Sequence, residues 1–193
     1  MSRLRCCWVK KIRVTLGFAA VVCLLGWCDL GLCGWFLLAL LLHELGHLAV
    51  LACFHRPIRG ITLGAGGAKI ETEGLSYRQE ALSAAAGPAV NLLSAGLTLR
   101  TFPVFALVSL ALAAVNLLPL YPMDGGRILR ASLLSRLPPE RAGRILRLCV
   151  YLTCTTLMVG ACWLTAMRQA GLWPIFAALV LLCRAGNAAA EIC

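Results

Sequence analysis

Apolar residues in this chain come in long blocks rather than in alternation with polar ones, and the short segments between the blocks carry nearly all the charge. A helix needs about 20 mainly apolar residues to cross the hydrocarbon core of a bilayer. Six stretches have or approach that length: Val14–Cys28, Leu30–Phe54, Ala81–Leu99, Phe102–Tyr121, Leu146–Met167 and Leu172–Arg184, the first and last being short. The pattern predicts an all-α polytopic membrane protein of about six transmembrane helices, in a single domain over 1–193. The first stretch follows a basic segment, as in a secretory signal, but no small-x-small cleavage site closes it and the second begins at once. A retained anchor is the expectation.

The segment between the second and third blocks reads differently. Ile61–Leu63 and Ala68–Glu73 are strand-like runs around Gly64-Ala65-Gly66-Gly67, which predicts a small membrane-associated β-hairpin over 59–74. An exposed edge there could hold an extended peptide by strand addition, with Gly64, Gly66 and Gly67 as the docking positions. An ordinary cytoplasmic loop is the alternative for so many glycines.

Composition agrees with the pattern: 61% of the 193 residues are hydrophobic, against roughly 45–50% in a soluble domain. The formal net charge of +10 raises nucleic acid as a partner, but such a binder gathers its basic residues on one soluble face, whereas here they lie between apolar blocks. We expect no nucleic-acid partner. With a cytoplasmic N-terminus and six alternating spans, only Arg100 and Arg168 of the 18 Lys and Arg fall outside. That sidedness predicts N-in, C-in topology, and the basic face can also attract anionic lipid. The 11 cysteines are odd in number, none is in C-x-x-C spacing, and most lie in apolar blocks, so they read as small hydrophobes. Cys6 and Cys7 are expected to be cytoplasmic and reduced.

The second block contains His43-Glu44-Leu45-Gly46-His47, an H-E-x-x-H pattern in an apolar helix. At about 100° per residue the two histidines lie roughly 40° apart, one turn above the other, so both imidazoles can reach one metal ion. Glu44 falls beside that face and can act as a base without using a coordination position. Ionisable groups inside a bilayer are costly unless paired or ligated, which argues against coincidence. Zinc needs a third protein ligand, and the candidates are His55, Asp29, Glu71, Glu73, Glu80, Asp124, Glu140 and Glu191. His55 is two turns beyond His47, too far along the same helix. Asp124 is the best candidate: Pro119 and Pro122 interrupt the fourth block, and Gly125 and Gly126 allow an unusual path, so the aspartate is presented from a broken helix. A solvent-exposed turn at a helix end is the alternative.

These residues, with Gly87-Pro88-Ala89-Val90-Asn91 and the run from Asn116 through Asp124-Gly125-Gly126-Arg127, resemble the site-2 protease family of intramembrane zinc metalloproteases. The six-span plan looks most like its bacterial stage IV sporulation protein FB branch. The resemblance implies one zinc ion held by His43, His47 and Asp124, with Glu44 as catalytic base. It makes Asn91 and Asn116 candidates for orienting substrate or water, although interhelical hydrogen bonding is an equally good use of asparagine in a membrane. That branch usually adds a CBS domain and other branches insert a PDZ domain; this chain has no room for either beyond its spans. The implied function is cleavage of a membrane-tethered regulatory protein, such as a sigma-factor precursor during sporulation, under control of an inhibitory membrane partner. The implied setting is the bacterial cytoplasmic membrane, with the active site opening to the cytoplasm. Two other readings remain: a metal-ion transporter, which does not need Glu next to His in this spacing, and a catalytically inactive scaffold, which the intact ligand and base set argues against.

Overall fold

The computed structural model describes residues 12–55, 58–64, 67–72, 74–168 and 178–179. The sixth apolar stretch, the basic segment before Ile12, and Gly66, Glu73 and Glu191 lie outside the described residues, apart from Ala178 and Leu179. Contacts divide the chain into two compact units, residues 1–114 and 115–193.

The first unit begins with β1 (Ile12–Val14), followed by α1 (Leu16–Cys28) and α2 (Leu30–Cys53). Asp29 separates the two helices: its extended backbone breaks the run, and its side chain accepts from Leu32 N–H at 3.0 Å, capping α2. Two strands follow, β2 (Ile58–Gly64) and β3 (Gly67–Thr72), paired antiparallel with Gly64 opposite Gly67. β1 joins β2 in parallel, giving the order β1-β2-β3, so α1 and α2 together form the connection between parallel strands. The hydrophobic pattern gave no sign of β1, which overlaps the start of the first apolar block at Val14.

The third helix, α3 (Tyr77–Thr98), starts before its apolar stretch because Ser76 and Gln79 form a reciprocal capping box. It packs against α2 at very short range. A Cβ on Gly46 would lie 2.8 Å from the Ala86 carbonyl oxygen and 2.9 Å from Val90 Cγ2, so glycine is what allows the two backbones to meet. α4 (Pro103–Asn116) closes the unit, with Phe105 and neighbouring Phe102 packed at a tilt against Trp35 of α2 at centroid distances of 5.7 and 5.8 Å.

In the second unit, residues 117–123 form an irregular segment after α4, consistent with Pro119 having no N–H for Val115 and disfavouring helical backbone at Leu118. The Tyr121–Pro122 peptide is cis. α5 (Asp124–Leu134) then starts at once, and α6 (Pro139–Arg168) packs against it. Leu120, Val150 and Cys154 form a buried cluster with Leu118, Met123 and Leu157 around it. Gly125 and Gly126 face the backbone of Leu117, Leu118, Leu120 and Tyr121 too closely for a Cβ, which pins the start of α5 beneath the irregular segment.

Among the described residues, three helices, Leu30–Cys53, Tyr77–Thr98 and Pro139–Trp163, are long and apolar enough to cross a membrane. α1 and α4 are apolar but shorter, with 13 and 14 residues; at 1.5 Å per residue each covers only about 20 Å of a hydrocarbon core of about 30 Å. The side-chain distribution is the inverse of a water-soluble protein's. His43, His47, Ser83, Asn91, Ser109 and Asp124 are buried, while Leu93, Leu97, Leu107 and Val159 are each at least 60% exposed. Hydrocarbon solvent favours that arrangement, because exposed leucines cost nothing there and polar groups must find partners inside.

The α2–α3 contact gives a stability test. Gly46→Val, in the full chain in detergent, should lower unfolding stability by about 1–3 kcal/mol through overpacking against the Ala86 backbone. The readout is the denaturant or thermal midpoint, and an unchanged midpoint would contradict so close an approach.

Candidate metal centre

α2 carries His43 and His47 one turn apart on its α3-facing side, both buried. Their Nε2 atoms are 3.1 Å apart, and the rings meet edge to face at a centroid distance of 4.7 Å. Two nitrogens on one tetrahedral zinc, each at about 2.0–2.1 Å, stand about 3.3–3.4 Å from each other. The observed spacing therefore fits a shared ion with little adjustment.

α3 supplies what surrounds this pair, through residues four apart on one face. The Ser83 carbonyl oxygen accepts from His47 Nδ1–H at 2.7 Å, which leaves the lone pair of that ring on Nε2. Asn91, four residues beyond Gly87 and with no exposed surface, places its carboxamide 3.2 Å from His43 Nδ1. Gly87, midway between, faces both Nε2 atoms: a Cβ there would overlap His47 Nε2 and lie 2.8 Å from His43 Nε2. The missing side chain leaves room for an ion where the two nitrogens converge. Fixed ring orientation, paired Nε2 atoms and a cradle that any Cβ would fill make these residues a fit for zinc.

Glu44 is half-buried, on the neighbouring strip of α2. Asp124 is buried at the first position of α5, where its carboxylate suits the positive end of the helix, and Arg127 Nη1 lies 3.4 Å from its Oδ1. His43 and His47 in the first unit and Asp124 in the second are each buried and of metal-ligand type. The other candidates for a third ligand fare differently. Asp29 caps α2, Glu140 is exposed in the first turn of α6, and His55 is exposed just past α2 with φ at 53° and its Nδ1 bonded to the Cys53 carbonyl. Asn116 is half-buried at the end of α4. Gly64 and Gly67 are paired at the facing ends of β2 and β3.

Two contributors had no role in the sequence reading. Ser83 acts through its main chain, which no side-chain pattern reports. Gly87 stood in a recognised run, but its place against the imidazoles depends on the helix pairing. The signal that could have found them is the Ser83, Gly87, Asn91 spacing of four, one face of one helix.

Residues 94–157 match the family model described as Peptidase family M50, a segment that includes Asn116 and Asp124 but not the H-E-x-x-H stretch. Stage IV sporulation protein FB of Bacillus subtilis (strain 168) is 32% identical over 141 residues, covering 64% of this chain and 49% of that protein. The chain thus spans about half the length of that curated relative. The fold is similar to that of a site-2 protease from Methanocaldococcus jannaschii, with a TM-score of 0.65, over 98% of this chain and 94% of that one, at 21% identity. One segment of the chain thus resembles Peptidase family M50, and its fold resembles that of a site-2 protease.

Proposed function

We propose that this protein is an intramembrane zinc metalloendopeptidase that cuts a membrane-tethered protein. The observation that carries the reading is the buried histidine pair: two Nε2 atoms converge beside Gly87 while α3 engages both Nδ1 atoms. A helical core of apolar surface has little other use for such a group, since unligated imidazoles there are costly. His43, His47 and Asp124 would hold one zinc ion, which supplies a Lewis acid for the peptide carbonyl and lowers the pKa of water toward neutrality.

Glu44, one residue from the first ligand, takes the proton of the attacking water and returns it to the leaving amine. Substrate must reach this site extended, because a helix shields its peptide bonds and uses their hydrogen-bonding groups internally. β3 pairs with β2 on one side only among the described residues, so its other edge can take such a segment by strand addition near Gly64, Gly66 and Gly67. Asn116 would orient substrate or water. The basic segments would face the cytoplasm, with the site opening to that side and both termini there. The sporulation protein among its relatives supports a bacterial setting, and a regulatory protein, such as a sigma-factor precursor, is the substrate that the family resemblance implies.

The full chain co-expressed with candidate tethered substrates tests this. Glu44→Gln should keep zinc but lose cleavage by about 10²–10⁴-fold, the usual worth of a general base. A fully active variant would defeat the assignment of Glu44. Asp124→Ala should lower the zinc bound per purified chain, measured by elemental analysis, and an unchanged stoichiometry would remove Asp124 from the ligand set.

A further inference from the structure

We propose that Asn91 is the positioning residue for His43, its carboxamide oxygen accepting from His43 Nδ1–H and so committing the Nε2 lone pair to the metal. This rests on the zinc reading above and concerns a residue that touches neither substrate nor ion. Asn91 has no exposed surface and His43 only 3%, so water does not compete for the contact. The two side chains come from different helices, 48 residues apart in sequence.

A metal at this pair needs one free lone pair from each imidazole. His47 is fixed: a carbonyl oxygen can only accept, so the Ser83 contact requires Nδ1–H and leaves Nε2 as an acceptor. His43 has two options, and Asn91 selects between them. When the amide nitrogen faces His43, as at 3.2 Å in this structure, Nδ1 must accept and the ring proton sits on Nε2. That proton then points at His47 Nε2, 3.1 Å away, and an internal hydrogen bond uses both sites a metal needs. In the same orientation Asn91 Oδ1 is buried with no hydrogen-bond partner among the described residues, an arrangement that costs about 1–3 kcal/mol.

Turning the carboxamide by 180° exchanges its oxygen and nitrogen in nearly the same volume. Oδ1 then faces Nδ1 and requires the proton to be on Nδ1, while the amide N–H groups take the place that Oδ1 held. Both Nε2 lone pairs are then directed toward the space beside Gly87. A neutral amide suits this place, because it can match either tautomer of His43 without adding charge to the apolar interior. Orientation of ligating imidazoles through the other ring nitrogen is a general device, and its loss commonly costs 10–100-fold in metal affinity.

The test uses the full chain purified in detergent, with zinc affinity measured by competition against a chromophoric chelator. Asn91→Leu, similar in size but with no acceptor, should bind zinc about 10–100-fold more weakly, whereas Asn91→Asp, which keeps an acceptor oxygen, should restore affinity close to wild type. The second readout is nitrogen-15 NMR of labelled histidines in the zinc-loaded protein. His43 Nδ1 should carry a proton, and Asn91→Asp should move that proton downfield while the His47 signal stays in place. Wild-type affinity in Asn91→Leu, or a His43 Nδ1 without a proton in zinc-loaded wild type, overturns the proposal. If Asn91→Leu does not fold, the spectra of wild type and Asn91→Asp decide by themselves. A wild-type chain that takes up no zinc refutes the metallopeptidase reading and this inference together; zinc-loaded wild type with an indifferent Asn91 refutes only the positioning role.

Discussion

Two imidazoles buried among apolar helices must each satisfy two ring nitrogens without help from water, and the first unit is arranged around that demand. A backbone carbonyl answers His47, a carboxamide answers His43, and the absence of a side chain at Gly87 keeps the space between their Nε2 atoms clear. All three come from α3, so the approach of α3 to α2 cannot be loosened without losing them. Gly46 sets that approach from the other side, with the Ala86 carbonyl against its Cα. Pro88 sits within the same stretch of α3 and supplies no N–H to the Ala84 carbonyl, next to the residue whose carbonyl holds His47.

The same demand explains the outer surface. In water, burial of leucine would drive helix packing; in hydrocarbon, leucine gains nothing by turning inward, and close contact between small residues and polar partners takes over. α2 shows both faces on one helix. Its buried positions are Cys33, Ala39, Leu40, His43, Gly46, His47 and Leu51, mostly small or polar, while Leu41 and Leu45 are exposed on the other side.

Much of this was legible in the sequence, though unevenly. The H-E-x-x-H spacing places two histidines on one helical face whatever the rest of the chain does, and Pro119 ends α4 early for a local reason. Helix starts were less legible. Ser76 and Gln79 begin α3 in polar residues ahead of the apolar run, and α6 begins at Pro139 rather than Leu146 because its first turns are basic but helical. β1 was invisible, since three residues are too few to show a period and the strand exists only by pairing with β2. Asn91 was legible as a group that either orients substrate or water or hydrogen-bonds between helices; its contact with His43 joins residues far apart in the chain, and no local pattern encodes that partner.

α6 carries a consequence of its length. Thirty residues make a rod of about 45 Å, against a hydrocarbon core of about 30 Å, so an upright helix leaves about ten residues clear of the lipid tails. The charged end decides which ten. Arg141, Arg144 and Arg147 recur every third residue in the first turns of the helix, on one side of it. Such an end is suited to the level of the lipid phosphates, and it is continuous with the stretch of the same rod that carries Val150 and Cys154 into the buried cluster.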